Sequence, residues 1–339
     1  MKGLTNIGNT CYINTTLQCL ANCNVFLNYF LKTFKSSDFL NRKEKEKEQE
    51  QEQEQEQKID ENQRKKQEQK ILDHFVLLQV RDVYQKLFDH DVGVTPRGLI
   101  ASLERSTIGK FLRIRSQNDM HEFLNLFLDL FVENTNGKGV IITGKQQMHM
   151  TCSICDYRSI NKETFTSIML SFPEKKDKNI WNLIDLINYA FQDETIDERK
   201  CDNCQNTTQG KKTIMIEKFP KILTFMIKRY NYDGKKLEDL IDVPYKINLS
   251  HLSSTYKQYK IENTENDPQS ININDTKMKY AIKSIACHMG DLDDGHYFSL
   301  IYKKDEQKWY EVDDDHVTDM GSKTLSSSYY FVLFYERIE

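Results

Sequence analysis

The stretch GNTCYINTTLQCL, residues 8–20, opens on a turn-like tripeptide and runs into a helical pattern, with Cys11 at the join. Ile13, Leu17 and Leu20 recur at helical spacing, and Asn22 and Asn24 suit an ending, so the pattern predicts a helix over 12–20. A helix N-terminus concentrates unpaired amide donors and partial positive charge. A thiol placed there is favoured as the thiolate, its nucleophilic form. Gly8 permits a tight approach, and Asn9 or Thr10 can cap. A buried structural cysteine is the other reading of the same residues, and this stretch alone does not separate the two.

The chain has 339 residues, enough for one large domain or two ordinary ones. Apolar residues make up 38% and charged residues 29%, a skew concentrated in residues 42–70, which are nearly all Lys, Glu and Gln. That run has almost nothing to bury and is read as disorder or frayed helix. A net charge of −4 with no basic excess is the wrong sign for a nucleic-acid footprint. No segment approaches the ~18 apolar residues of a membrane span. Residues 1–6 lack a secretory apolar core, and neither end carries a lipidation pattern. The expectation is a monomeric protein of the cytoplasm and/or nucleus, not secreted, binding neither nucleic acid nor membrane.

Residues 71–88, 118–131 and 180–191 read as further helices. Residues 140–142, 147–150 and 221–227 read as strands, followed by a polar loop over 251–276. Strands are then expected at 279–288, 297–302, 308–312 and 329–335. Helices first and strands later predict an α+β fold.

Two constellations carry chemistry. If 297–302 and 308–312 form a hairpin turning near Lys304 and Asp305, His296 is placed opposite Asp313. Directly opposed residues have Cβ atoms roughly 5 Å apart. A carboxylate there could orient the imidazole and stabilise its cation, the third role in a triad. Taken singly, His296 is also a surface histidine after a turn glycine, and Asp313–Asp314–Asp315 a solvated acidic turn. The second constellation is a pair of CxxC motifs, Cys152/Cys155 and Cys201/Cys204. Each can hold one edge of a tetrahedral Zn²⁺ site. The 45 residues between the pairs do not forbid closure, because loop entropy grows slowly with length. A single CxxC can be redox-active. Two of them without a thioredoxin-like βαβ context favour one structural zinc per chain. Cys19, Cys23 and Cys287 read as core thiols.

The motif GLTNIGNTCYIN (3–14) resembles the cysteine box of the ubiquitin-specific protease family of deubiquitinases. GHY (295–297) with WYEVDD (309–314) resembles that family's histidine box, and QNDMHEFL (117–124) is similar to a motif between them. FPKIL (219–223), IKRY (227–230) and FYE (334–336) also fit, in the family's order over nearly the whole chain. The resemblance implies a papain-like cysteine protease fold with thumb, palm and zinc-braced fingers, forming one catalytic domain over 1–339. Residues 3–138 would be a mainly helical thumb with the 42–70 run inserted. Residues 139–250 would be fingers and part of the palm, 251–276 a polar loop, and 277–336 the palm strands with the histidine box.

It also implies hydrolysis of the bond after ubiquitin's C-terminal glycine, with ubiquitin and ubiquitinated proteins as partners. Cys11 would be the nucleophile, His296 the general base and acid, and Asp313 the orienting carboxylate. Asn6 would donate to the oxyanion, with Asp314 assisting. Asp119 and Glu122 would meet the ubiquitin tail unless they serve as a helix-start acid pair, and Gly295 and Tyr297 would line the substrate channel beneath a flexible 290–295 loop. Asp294 departs from the family, which often has glycine there. A hydrolase of a ubiquitin-like modifier and a silent ubiquitin-binding scaffold are the alternatives. Intact Cys11, His296, Asp313 and Asn6 argue against the scaffold.

Overall fold

The computed structural model describes residues 2–34, 61–89, 93–135, 141–174, 179–257, 278–291, 294–322 and 326–338. Most of the expected low-complexity run (42–60), most of the polar loop (258–276) and residues 292–293 of the 290–295 loop lie outside them. The chain divides into two compact units, residues 1–139 with 284–322, and residues 140–283 with 323–339.

The first unit begins with α1 (Cys11–Ala21) and α2 (Asn24–Asn28), the latter continued by a π turn, Tyr29–Thr33. Then come α3 (Glu61–Asp89), α4 (Arg97–Arg105), α5 (Ile108–Phe111) and α6 (Met120–Asn134). Every residue of α1 is buried, so its polar side chains must find partners. Thr16 Oγ1 donates to Tyr12 O at 2.7 Å, and Gln18 Nε2 to Lys2 O at 2.9 Å. An aromatic cluster packs beside it: Phe26 and Phe30 lie 5.0 and 5.7 Å from Phe131, and Tyr84 lies 5.5 Å from Phe30. α3 starts earlier than its apolar pattern, because residues 61–70 are already helical. Their Lys, Glu and Gln are strong helix formers, and Lys65 pairs with Glu61 one turn away at 2.7 Å. The core-facing stripe, Val76, Leu77, Val80 and Tyr84, begins only afterwards.

In the second unit the strands are β1 (Gly144–Cys152), β2 (Arg158–Phe165), β3 (Ile168–Leu170) and β4 (Ile180–Asn182). After α7 (Leu183–Ala190) come β5 (Glu194–Lys200), β6 (Thr207–Lys218), β7 (Ile222–Ile227), β8 (Leu240–Asp242) and β9 (Lys246–Asn248). Strands β2, β1, β6 and β5 form an antiparallel sheet in that order. Two expectations are corrected here. Residues 141–142 are not strand. The helix expected over 180–191 begins only at Leu183, because Ile180–Asn182 pairs in parallel with β8 and the Asn182 side chain caps the helix by accepting from Ile184 N. In the IKRY motif, the buried Arg229 donates to the carbonyls of Tyr330 and Asp239 at 2.9 and 2.6 Å and ties this unit's late segments together.

The chain then passes through β10 (Lys279–Gly290) to an antiparallel meander in the first unit, β11 (Gly295–Lys303), β12 (Lys308–Asp313) and β13 (His316–Gly321). The last strand was not foreseen. β14 (Tyr330–Arg337) belongs to the second unit and pairs with β7. The β11–β12 register also corrects an expectation. Ser299 stands opposite Val312, so His296 and Asp313 are not directly opposed. Extending the ladder sets Asp313 beside Phe298, two residues along from His296 and on the same face. α1 lies against this meander: Asn22 Nδ2 donates to Tyr302 O at 3.1 Å, and Ser284 Oγ to Cys19 O at 3.0 Å.

Gly3 lies where the segment before α1 crosses the turn after β12. A Cβ there would sit 2.1 Å from Asp314 O and 2.4 Å from Asp315 Cα. Backbone cannot yield as a flexible side chain does, so Gly3→Ala is expected to lose about 1–3 kcal/mol, the cost of overpacking. Urea unfolding checks this: a wild-type midpoint would mean that the two segments are not tightly apposed.

Candidate active site

The segment before α1 is shaped by its own polar groups. Gly8 has φ +92° and Asn9 φ +51°, so the chain turns through the left-handed region just before the helix. Asn6 Oδ1 accepts from Gly8 N, Thr10 N and Thr10 Oγ1, each at 3.1 Å. Three donors around one oxygen fix the orientation of the carboxamide, and Nδ2 donates to Asp314 Oδ2 at 2.9 Å with one hydrogen to spare. Thr10 is the residue before the helix, but its hydroxyl turns back to Asn6 and Ile7 and does not cap. Cys11 follows at the first helical position, 2% exposed. Its amide belongs to the first turn, which has no intrahelical acceptor.

The Cys11 sulfur acts on the imidazole of His296, at the start of β11, and raises its pKa. His296 Nε2 lies 2.5 Å from Asp313 Oδ1. The Cys11 sulfur first, then Asp313, raise the imidazole's pKa to about 9 against the pull of burial. The imidazole is thus influenced by both the Cys11 sulfur and the Asp313 carboxylate. Asp314 sits in a left-handed conformation at φ +50° and holds the neighbouring groups. Its Oδ1 accepts from Asn14 Nδ2 at 2.7 Å, and its carbonyl accepts from Leu4 N at 2.8 Å.

The residues expected to meet substrate also have partners within the fold. Asp119 is the N-cap of α6, accepting from Glu122 N at 2.9 Å, as a helix-start residue would. Tyr297 is buried, its ring 4.4 Å from that of His288. Gly295 pairs with Gly290 in the β10–β11 ladder, and a Cβ on it would fall 2.0 Å from His288 Nε2. On either side of residues 292–293, Asp291 N donates to Asp294 O at 3.2 Å. Two supporting residues had escaped notice. Asn14 holds Asp314, and Asn118 Nδ2 donates at 3.0 Å to the Tyr12 hydroxyl, bracing α1. In the sequence Asn14 reads as an ordinary polar helix position.

In the second unit the Sγ atoms of Cys152, Cys155, Cys201 and Cys204 all lie within 4.8 Å of one another. Cys152–Cys204 measures 3.9 Å and Cys155–Cys201 3.7 Å. A tetrahedron with ~2.3 Å zinc–sulfur bonds has edges of about 3.8 Å, whereas a disulfide needs ~2.05 Å. Each pair sits on a matching knuckle: Asp156 N donates to Cys152 O at 3.1 Å, and Gln205 N to Cys201 O at 3.0 Å. The donor set and spacing fit a closed tetrathiolate site.

A sequence profile of the ubiquitin carboxyl-terminal hydrolase family matches residues 2–335. Ubiquitin carboxyl-terminal hydrolase 22-A of Xenopus laevis is 22% identical over 380 residues, covering 99% of this chain and 66% of its own. Ubiquitin carboxyl-terminal hydrolase Usp2 of Drosophila melanogaster is 25% identical over 374 residues, covering 99% of this chain and 34% of its own. The chain thus spans at most about two-thirds of these relatives. Among solved structures, the Ubp8/Sgf11/Sus1/Sgf73 deubiquitinating module of SAGA bound to ubiquitin aldehyde matches with a TM-score of 0.70 at 19% identity, over 100% of this chain and 70% of that one. The mixed α/β fold is that of these proteases, and the chain belongs to the ubiquitin carboxyl-terminal hydrolase family.

Because Cys11 is the largest influence on His296, Cys11→Ala is expected to bring the imidazole's pKa down from about 9 towards 6.5. NMR titration of the ring reads this directly. An unchanged midpoint would show that sulfur and ring are not in contact.

Proposed function

We propose that the chain is a thiol-dependent deubiquitinase that hydrolyses the isopeptide or peptide bond after ubiquitin's C-terminal glycine. The observation that carries this is the Cys11–His296–Asp313 grouping, within a chain of this family. With the Cys11 thiol proton held on His296, the sulfur attacks the glycine carbonyl carbon, and the electron pair of the C=O bond moves to oxygen. The spare Asn6 amide hydrogen and the Cys11 backbone N–H are the donors available to that oxyanion. One such donor is typically worth ~10²–10³ in rate. Collapse of the intermediate breaks the C–N bond, and His296 gives its proton to the leaving amine. A thioester remains. Water then attacks it, with His296 taking the proton, and the free ubiquitin carboxylate and the Cys11 thiol are released. Asp313 orients the ring throughout, and Asp314 positions Asn6 as a positioning residue.

The reading includes one structural zinc held by the four finger cysteines; with four thiolate ligands it keeps no open position and braces the sheet. All eight cysteines are free, in keeping with a reducing compartment, cytoplasm or nucleus.

Folded protein is expected to form one adduct, at Cys11, with ubiquitin carrying a C-terminal electrophile, as located by mass spectrometry. Cys11→Ala should still bind ubiquitin while cleaving nothing. No adduct from folded protein would favour a silent scaffold, and faster reaction with a ubiquitin-like modifier would transfer the activity to that substrate. Metal analysis should return about one zinc per chain, absent from the Cys201→Ser/Cys204→Ser protein. A metal-free wild type would remove the brace from this account.

A further inference from the structure

Strands β10 and β11 pair so that Met289 stands directly opposite His296. Directly opposed side chains share a face, with Cβ atoms roughly 5 Å apart. Asp313 of β12 lies on that face as well, and its carboxylate meets the ring. The strands run in the order β12, β11, β10 across the sheet. The His296 ring is therefore flanked by a carboxylate on the β12 side and by a thioether on the β10 side. Met289 is 47% exposed, the one large apolar side chain left so among the described residues of β10–β13. Two positions back on the same face, Cys287 is 1% exposed. The covered part of the face ends between them, and Met289 stands at its open rim. A lone exposed apolar residue is ordinary on a surface. Its place beside the ring is what singles this one out.

The proposed hydrolysis brings a particular part of the substrate to that rim. The carbon attacked by Cys11 carries an oxygen, the glycine Cα and the leaving nitrogen. The oxygen goes to Asn6, which is bound to Asp314 after β12. The nitrogen must come within hydrogen-bond reach of His296 to take its proton. Its substituent then passes the ring on the side away from the oxygen, which is the side of β10. In an isopeptide that substituent is the lysine stem, a run of methylenes on an uncharged amide nitrogen. In an α-peptide it is a backbone Cα followed at once by a polar amide. Methionine is unbranched and polarizable and fits itself to irregular apolar shapes.

We propose that Met289 is a leaving-group residue, packing on the lysine stem of an isopeptide and selecting isopeptide over α-peptide bonds. The inference rests on the deubiquitinase reading and narrows its substrate class. Two methylenes taken out of water on the way to the transition state correspond to about tenfold in kcat/KM.

Two substrates test it: ubiquitin joined to Nε of a lysine in a peptide, and ubiquitin fused to the α-amine of a peptide that begins with glycine. Wild type is expected to favour the first about tenfold in kcat/KM. Met289→Ala should bring that ratio close to one, whereas Met289→Leu, still apolar, should keep most of it. Equal rates on the two substrates in wild type, an unchanged ratio in the Met289→Ala protein, or an equal loss on both substrates would overturn the inference. The adduct with electrophilic ubiquitin involves no lysine and reports on the Cys11 site separately. A wild type that forms it yet shows one of those three results loses the role of Met289 and keeps the hydrolase reading. A wild type that forms none loses both.

Discussion

The carboxylate of Asp314 is the tie on which the first unit's site depends. One oxygen holds Asn6 at 2.9 Å and the other holds Asn14 at 2.7 Å, across 308 and 300 positions of sequence. Its carbonyl takes Leu4 N at 2.8 Å. A single residue after β12 thus grips both the segment before α1 and the helix itself. Hydrogen bonds to an ionised acceptor are roughly twice as strong as neutral ones, and these sit where Gly3 lets the two backbones close up. The adjacent residue, Asp313, meets His296. The segment carrying the sulfur and the ring are therefore both referred to the same two-residue turn.

The four-stranded antiparallel sheet of the second unit is held by different means. Along β2 and β5 almost every side chain is exposed or half-buried. That sheet buries little apolar surface, and hydrophobic burial is the main favourable term in folding. The proposed zinc at the four thiols would link its strand ends and supply what a core would otherwise supply.

How far the sequence speaks for itself can be judged residue by residue. The turn before Cys11 and the helix after it are legible because glycine and the apolar period are local signals. His296 and Asp313 are legible as neighbours although their register was misjudged by two residues. Side chains on a strand repeat every two residues, so that error keeps both groups on one face. An error of one residue would have parted them. Asn14 and Thr10 are not legible in their roles, because their partners are set by the fold: Asn14 reads as an ordinary polar helix position until its partner 300 residues away is known. β2 and β5 escaped for the opposite reason, since a strand exposed on both faces has no alternation to detect. At Ile180–Asn182, pairing with β8 outweighed a helical pattern that the residues share with α7.

The charge on His296 bears on how one ring can serve as acid and then as base. At rest its pKa of about 9 keeps it protonated at neutral pH, and the largest contribution is from Cys11. In the proposed reaction the first half needs an acid, to hand a proton to the leaving amine, and the resting ring already holds that proton. Once sulfur is acylated the largest influence raising the pKa is gone, leaving burial, which lowers it, set against Asp313, which raises it. The ring's pKa then moves towards its ordinary value near 6.5, and the neutral form needed to take a proton from water becomes the populated one. The thioester itself thus switches its neighbour from acid to base, with Asp313 holding the ring's orientation across both steps.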